Sequence, residues 1–347
     1  MTLRRLGELG LIRRIRDRVG PAGASVQTGI GDDAAVLDVA PGAALLATTD
    51  LLIEDVHFRR TWAAPWDIGW KAMAVNLSDV AAMGGTPRWA LVALAVPEKT
   101  EPAEVDALYA GMQEAAAPHG VSIVGGDTCA SRAGWLINVT LLGEHAGSPR
   151  LRSAAKPGDA VAVTGSLGRA GGGLAVLEMG RQRAQAAGVT APQWEALAGA
   201  HLRPTARVAE GRWLGAASGV HAMLDCSDGL STDLGHVCRE SGVGARVVLD
   251  RVPVAPEAQA AAKALKADAT RWAVSGGEDY ELLVTCDPAA VEALTAGLAR
   301  ATGTPLTVIG EIEGLKEGVV FVDSGGVPVA MPGGYDHFNA GADGSNG

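Results

Sequence analysis

Six short stretches of the chain set a carboxylate beside glycine or small polar residues. They are Gly31-Asp32-Asp33, Thr48-Thr49-Asp50, Asn76-Leu77-Ser78-Asp79, Gly125-Gly126-Asp127, Asp225-Cys226-Ser227-Asp228-Gly229 and Ser275-Gly276-Gly277-Glu278-Asp279. An Asp at a strand end next to glycine exposes its oxygens and lets a ligand or another backbone approach. Mg²⁺ takes oxygen ligands and keeps waters and substrate phosphates in its shell. Several carboxylates facing one cleft repel one another unless cations sit between them. The pattern therefore points to a nucleotide site holding more than one Mg²⁺.

Each stretch also has an ordinary reading. Asp beside Gly is a common turn or N-cap pair, so Asp32-Asp33 can be a surface turn and Ser227-Asp228 can cap a helix that begins near Gly229. Ser78-Asp79 falls inside a helical stretch, where Asp is disfavoured, and there the functional reading stands level with the structural one. Gly165–Gly173 (GSLGRAGGG) follows a strand and opens a helix as a phosphate loop does, but it lacks the Gly-Lys-Ser/Thr ending. Close helix packing is the favoured reading there. No Ser/His/Asp nucleophile set stands out. His57-Phe58 lies one short loop beyond Asp50 and either packs or positions a substrate ring.

Regular elements must hold these groups in place. Residues 43–49 and 89–96 are strand-like apolar runs, and Pro65–Met83 between them has helical spacing, with Trp66, Trp70, Met73, Leu77 and Val80 on one face. Residues 1–20 and 102–119 read as helices, 121–124 as a short strand running into Gly125-Gly126-Asp127, and 135–143 as a further strand. The small, Pro/Gly-rich segment 146–158 reads as a domain boundary. Beyond it come a strand at 159–164, a glycine turn and helix, helical segments within 181–200, and strands at 245–249, 280–286, 305–310 and 318–322. This divides the chain into domains 1–148 and 149–338, each α/β or α+β, with a frayed, disordered tail at 339–347.

Composition narrows the function classes. The 347 residues are 48% apolar, which argues against wholesale disorder. There are 29 Lys+Arg against 39 Asp+Glu, a net charge of −10, and a general nucleic-acid binder would show a basic footprint instead. The four cysteines form no C-x-x-C pair, so mostly buried, reduced thiols in a cytoplasmic protein are expected. No apolar run approaches the ~18 residues of a membrane span. The N-terminal residues read as a short amphipathic helix without a secretory signal, and Glu8 and Asp17 argue against a transit peptide.

Taken in order, eight stretches resemble the thiamine-monophosphate kinase family, part of a superfamily of ATP-dependent enzymes that includes aminoimidazole ribonucleotide synthetase. They are GIGDDAAVL (29–37), TTDLLIEDVHF (48–58), WKAMAVNLSDVAAMGG (70–85), IVGGDT (123–128), HLRPTAR (201–207), LDCSDGLSTDLGH (224–236), WAVSGGEDYELL (272–283) and GYDHF (334–338). The resemblance spans about residue 8 to residue 338. It implies two α/β domains with an ATP cleft between them, and a homodimer made by pairing the N-terminal sheets. It also implies phosphorylation of thiamine monophosphate by ATP with several Mg²⁺ ions, leaving a K⁺ requirement open. The family's metal positions match Asp33, Thr48, Thr49, Asp50, Asp79, Asp127, Asp225 and Asp228. Its nucleotide contacts match Gly126, Asp127, Arg152 and Ser227, and its substrate contacts match His57, Glu278 and Tyr335. Two departures are small: Glu54 and Asp55 add negative charge near the substrate loop, and Cys226 replaces a common aliphatic residue.

The acceptor in that reaction is an already ionised phosphate oxygen, so no covalent nucleophile or general base is expected. Nucleic acid and membrane are not expected partners. Selenophosphate synthetase and the hydrogenase maturation factor are rivals within the superfamily. The first typically carries a reactive Cys or Sec near its N-terminus and the second a C-terminal Cys, whereas the first cysteine here is Cys129. From other classes, a metal-dependent phosphohydrolase would release phosphate without an acceptor, and a nucleotide sensor would bind Mg-ATP without turnover.

Overall fold

The structure, a computed structural model, describes residues 2–21, 23–31, 34–314 and 318–334. Asp33, Tyr335 and the tail expected beyond Phe338 lie outside the described residues. The chain divides into two compact units. Met1–Pro149 together with Leu202–Val208 forms the first, and Arg150–His201 with Ala209 onward forms the second. The segment 202–208 thus groups with the N-terminal unit rather than with its sequence neighbours.

The first unit opens with α1 (Leu3–Leu6) and α2 (Glu8–Val19). The single helix expected over 1–20 is broken at Gly7, whose φ of +74° leaves the helical region. A small ribbon of β1 (Val26–Thr28) and β2 (Val36–Leu37) follows. The main sheet contains β3 (Ala44–Ile53), β4 (Thr86–Pro97), β5 (Ser122–Ser131) and β6 (Leu136–His145) in the order β3-β6-β4-β5, with only β4 and β5 parallel.

Between β3 and β4 runs α3 (Pro65–Ala82), and α4 (Pro102–Ala116) follows β4. Both begin with proline, whose missing N–H costs nothing at a helix start. Asp67 accepts from Ala64 N at 3.1 Å and Glu104 from Glu101 N at 3.0 Å, closing the two N-termini. The two helices meet backbone to backbone. A Cβ on Gly69 would lie 1.8 Å from the Leu108 carbonyl oxygen, and one on Gly111 would lie 1.9 Å from that of Trp66. Nearly every residue of α3 is buried, as befits a helix wedged between a sheet and a second helix. The sheet's faces differ. Val92, Leu94, Ile137, Val139 and Leu141 are buried toward α3, while Leu45 and Leu51 on the opposite face are exposed.

The second unit is built on a six-stranded sheet of order β12-β9-β11-β7-β10-β8. Its strands are β7 (Ala160–Thr164), β8 (Val220–Asp225), β9 (Gly244–Val248), β10 (Leu282–Cys286), β11 (Leu306–Glu313) and β12 (Gly318–Val322). All pairings are antiparallel except β12 with β9. Between the strands run α5 (Arg169–Met179), α6 (Arg181–Ala186), α7 (Ala191–Leu202), α8 (Val208–Ala216), α9 (Leu230–Ser241), α10 (Pro256–Leu265), α11 (Ala269–Ser275) and α12 (Val291–Thr302).

Every residue of β7 and β10 is buried, and one core joins Val161, Val163, Leu224, Leu234, Leu283 and Ile309 across sheet and helices. At the start of this unit Arg150 donates to the carbonyls of Gly215, Ala217 and Val220 at 2.7–3.0 Å, joining the end of α8 to the start of β8. Three cysteines are buried and Cys129 is exposed. No helix of the described residues is long and apolar enough to cross a membrane.

Candidate active-site residues

In the first unit Thr48 and Asp50 alternate onto the α3 side of β3, where the Thr48 hydroxyl donates to the carboxylate of Asp79 in the last turn of α3. The bond joins Thr48 to Asp79, and Asp50 stands two residues on along the same side of β3. Thr49 faces the other way. Its Oγ1 lies 2.9 Å from the Asn138 amide nitrogen and 3.1 Å from Thr140 Oγ1, in a polar ladder on the open face.

The expected strand at 121–124 continues through Gly125-Gly126-Asp127 as β5. Gly126 allows this close pairing, since a Cβ there would sit 1.9 Å from the Val92 carbonyl oxygen. The register across the sheet joins Asp50, Val139, Val92 and Gly126 in one row, and Leu51, Asn138, Ala93 and Asp127 in the next. Asp127 therefore lies on the opposite edge strand from Asp50, three strand spacings or about 14 Å away, and on the open face. Within one copy of the chain these two carboxylates do not meet on one ion.

The loop after β3 is rigidly tied. Ile53 N donates to His57 Nδ1 at 3.0 Å, and the buried Lys71 donates from Nζ to the His57 carbonyl at 3.3 Å. With Nδ1 accepting, a neutral His57 ring carries its proton on Nε2. Glu54 accepts from Trp135 N at 2.8 Å, so it serves as a brace for β6. Phe58 is buried in the core. At the start of α3, Asp67 pairs with Arg203 at 2.8 Å and Trp70 Nε1 donates to the Pro204 carbonyl at 2.8 Å. These contacts seat the 202–208 segment on its unit.

In the second unit Asp225 ends β8 and is buried, and Ser227 and Asp228 occupy the turn into α9. The capping reading of Ser227-Asp228 does not hold. Gly229 is the N-cap, and the buried Asp233 reaches back to accept from Asp228 N at 3.1 Å. Burial, with the neighbouring charges of Asp225 and Asp228, raises the Asp233 carboxyl well above the ordinary range. Burial likewise raises the Cys226 thiol, helped by Asp233, Asp225 and other nearby carboxylates, so Cys226 packs as an inert residue.

The glycine-rich turn is a packing device. Two of its N–H groups are already taken: Gly168 and Ala170 donate to the Asp279 carboxylate at 2.6 and 3.0 Å. The helix then lies so close to α7 that a Cβ on Gly173 would sit 2.2 Å from the Leu197 carbonyl oxygen. Burial pushes the Asp279 carboxyl up to about 7, against the lowering effect of those two N–H groups.

The loop from Gly276 to Glu281 is bonded to the Asp225–Asp228 turn. Glu278 N donates to Ser227 O at 2.7 Å, Tyr280 N to Cys226 O at 2.9 Å, and Cys226 N to Glu281 O at 2.7 Å. To follow this course Gly277, Glu278 and Tyr280 take φ of +63°, +59° and +51°. Gly334, last of the described residues, donates to Thr232 Oγ1 at 2.9 Å.

Arg152 sits on a short turn whose carbonyl accepts from Ser241 Oγ at 2.9 Å. The His236 imidazole on α9 has a lowered pKa, chiefly by burial, then by Arg239 and Arg152, with Asp228 opposing. Arg152 and Asp228 thus act electrically on the same residue. Among the described residues no three His, Cys, Asp or Glu side chains stand together as a metal-ligating group. Mg²⁺ does not require one, because it is usually held by one or two carboxylates with substrate phosphates and water. The hard oxygens of Asp50 and Asp79 suit it. Sequence reasoning gave no role to Asp67, His201 or Asp233, and noted Asp279 only as the last carboxylate of the 275–279 stretch. Their types carry no signal without the neighbours that the fold brings to them.

The chain matches two family profiles, "AIR synthase related protein, N-terminal domain" over residues 31–145 and "AIR synthase related protein, C-terminal domain" over 156–323. The thiamine-monophosphate kinase of Salmonella typhimurium (strain LT2) is 40% identical over 341 residues, covering 96% of this chain and 98% of the relative. Among solved structures, thiamine-monophosphate kinase from Stenotrophomonas maltophilia K279a superposes with a TM-score of 0.79 at 36% identity, covering 92% of this chain and 96% of that one. A structure described as "AaThiL complexed with AMPPCP and TMP" superposes with a TM-score of 0.74 at 34% identity, covering 97% and 99%.

Proposed function

We propose that this chain, which belongs to the thiamine-monophosphate kinase family, transfers the terminal phosphoryl group of ATP to thiamine monophosphate, giving ADP and thiamine diphosphate. The observation that carries this reading is the near full-length similarity to a relative solved with AMPPCP, an ATP analogue, and TMP. Mg²⁺, when bound, would neutralise the phosphates that otherwise repel one another. Asp50 and Asp79 would hold it in the first unit, joined by Asp33, with the Thr48 hydroxyl keeping Asp79 turned toward β3. Asp225 and Asp228 would hold it in the second unit, and Asp127 would bind a separate ion.

Transfer is direct and in line, with no phosphoenzyme, because the acceptor oxygen is already ionised. Gly126, Ser227 and the fixed charge of Arg152 would bind ATP. His57 and Tyr335 would pack against the thiamine portion, and Glu278 would offer its carboxylate to the cationic ring. The chain would act as a homodimer in the cytoplasm, and the first unit's sheet is what supports the dimer. Its open face presents Leu45 and Leu51 to solvent beside the Thr49–Asn138–Thr140 ladder, a surface that a second copy's equivalent sheet would cover.

The test is incubation with Mg-ATP and thiamine monophosphate, with products resolved by chromatography. Thiamine diphosphate and ADP are expected one for one. Phosphate release without thiamine diphosphate would make the protein a hydrolase, and tight binding without turnover would make it a sensor.

A further inference from the structure

His201 lies in the last turn of α7, in the stretch HLRPTAR, and takes no part in the chemistry described so far. Its side chain is 8% exposed, and its Nδ1 lies 3.0 Å from Glu278 Oε2. Among the described residues that nitrogen has no hydrogen bond of good angle, so the carboxylate is the neighbour that answers its burial. Two features bring the pair together. The glycine face of α5 lets α7 approach, with a Cβ on Gly173 falling 2.8 Å from His201 Cβ as well as 2.2 Å from Leu197 O. The 276–281 loop, bonded through Glu278 N to Ser227 O, holds Glu278 at φ +59° and turns its side chain toward α7.

We propose that His201 is a positioning residue for thiamine monophosphate. Its imidazole fixes the direction of the Glu278 carboxylate, and so sets affinity for the cationic part of the substrate without touching that substrate. This rests on the reading of Glu278 as a substrate contact. A bond that is poorly angled without substrate and tightens with it is common in enzyme sites.

Steady-state kinetics on His201→Leu, His201→Asn, Glu278→Gln and the His201→Leu/Glu278→Gln double variant test it. His201→Leu is expected to raise KM for thiamine monophosphate about 10-fold, the scale of a lost outer partner, with kcat and KM for ATP within about 2-fold. His201→Asn keeps an N–H donor near the Nδ1 position and is expected to recover most of the loss. In the Glu278→Gln background His201→Leu should add nothing, because both act through one carboxylate. Additive effects, or equal losses for both substrates, would overturn the proposal and leave His201 structural. If Glu278→Gln itself leaves KM for thiamine monophosphate unchanged, it is the substrate-contact reading that fails. Should His201→Leu not fold, His201→Asn with a normal KM beside His201→Gln with a raised one supports the proposal, and equal values overturn it.

Discussion

The two units hold their acidic residues by different means. In the first, Thr48, Asp50 and Asp79 sit on a regular strand and a regular helix, and one hydroxyl–carboxylate bond joins the two elements. In the second, Asp225 ends a strand, while Ser227, Asp228 and Glu278 occupy irregular loops that bond to each other through backbone groups and include two non-glycine residues at positive φ. The buried Asp233 braces the first loop from behind, and Asp279, within the second, ties that loop to the start of α5. A site built on regular elements is insured by the sheet core, whereas a site built on loops depends on a few buried polar groups. Changes in the first unit should therefore damage chemistry more than folding, and changes behind the loops of the second should damage folding first.

The sharpest break in that contrast is Asp79→Asn. It keeps an acceptor for Thr48 but removes a ligand charge, so kcat should fall at least about 100-fold. The melting temperature should move little, and an equal loss of both would make Asp79 structural. Next comes Gly173→Ala. Its Cβ would meet the Leu197 backbone, and such overpacking costs about 3 kcal/mol, to be read from denaturant midpoints. Gly235→Ala, where nothing lies within 4 Å, should be harmless in the same assay.

Asp279 offers a pH signature of the second unit. Its carboxyl is raised to about 7 in the folded chain, so the native state holds an extra proton that the unfolded chain releases nearer pH 4. That contribution to stability is complete below the unfolded pKa and is lost as pH rises toward 7, by up to about 2.5 kcal/mol between pH 5 and 7. Melting temperatures across that range should flatten in Asp279→Asn, which also loses one acceptor for Gly168 or Ala170. The smallest effect is expected for Thr49→Val. Its side chain serves the open-face ladder, so stability should drop about 1 kcal/mol with kcat unchanged. A large fall in kcat would instead favour Thr49 as a side-chain ligand.

Much of this was legible before the fold was known, because apolar periodicity marks α3, β4 and β6 almost to their ends, although β3 and β5 run on to Ile53 and Ser131, past the expected ends at 49 and 124. Asp79 was conspicuous as a poorly suited residue in a good helix, and the helix indeed carries it to Thr48. What stayed hidden depends on register and distance. Nothing local to Thr48-Thr49-Asp50 says which side chain faces α3, and nothing in Gly125-Gly126-Asp127 says that it forms the far edge of the same sheet. The glycine run was ambiguous for the same reason. A remote carboxylate, Asp279, decides between phosphate loop and packing seam, and it lies more than a hundred residues away.

The segment Leu202–Val208 bears on how the chain comes off the ribosome. The first unit is synthesised up to Pro149, yet the piece that supplies Arg203 to Asp67 and the Pro204 carbonyl to Trp70 follows roughly fifty residues later. At about 5–20 residues per second, that is a wait of several seconds. Until then the nascent N-terminal unit carries an acid and an indole at the head of α3 without their final partners. A truncated chain ending at Pro149 would remain in that unfinished state permanently.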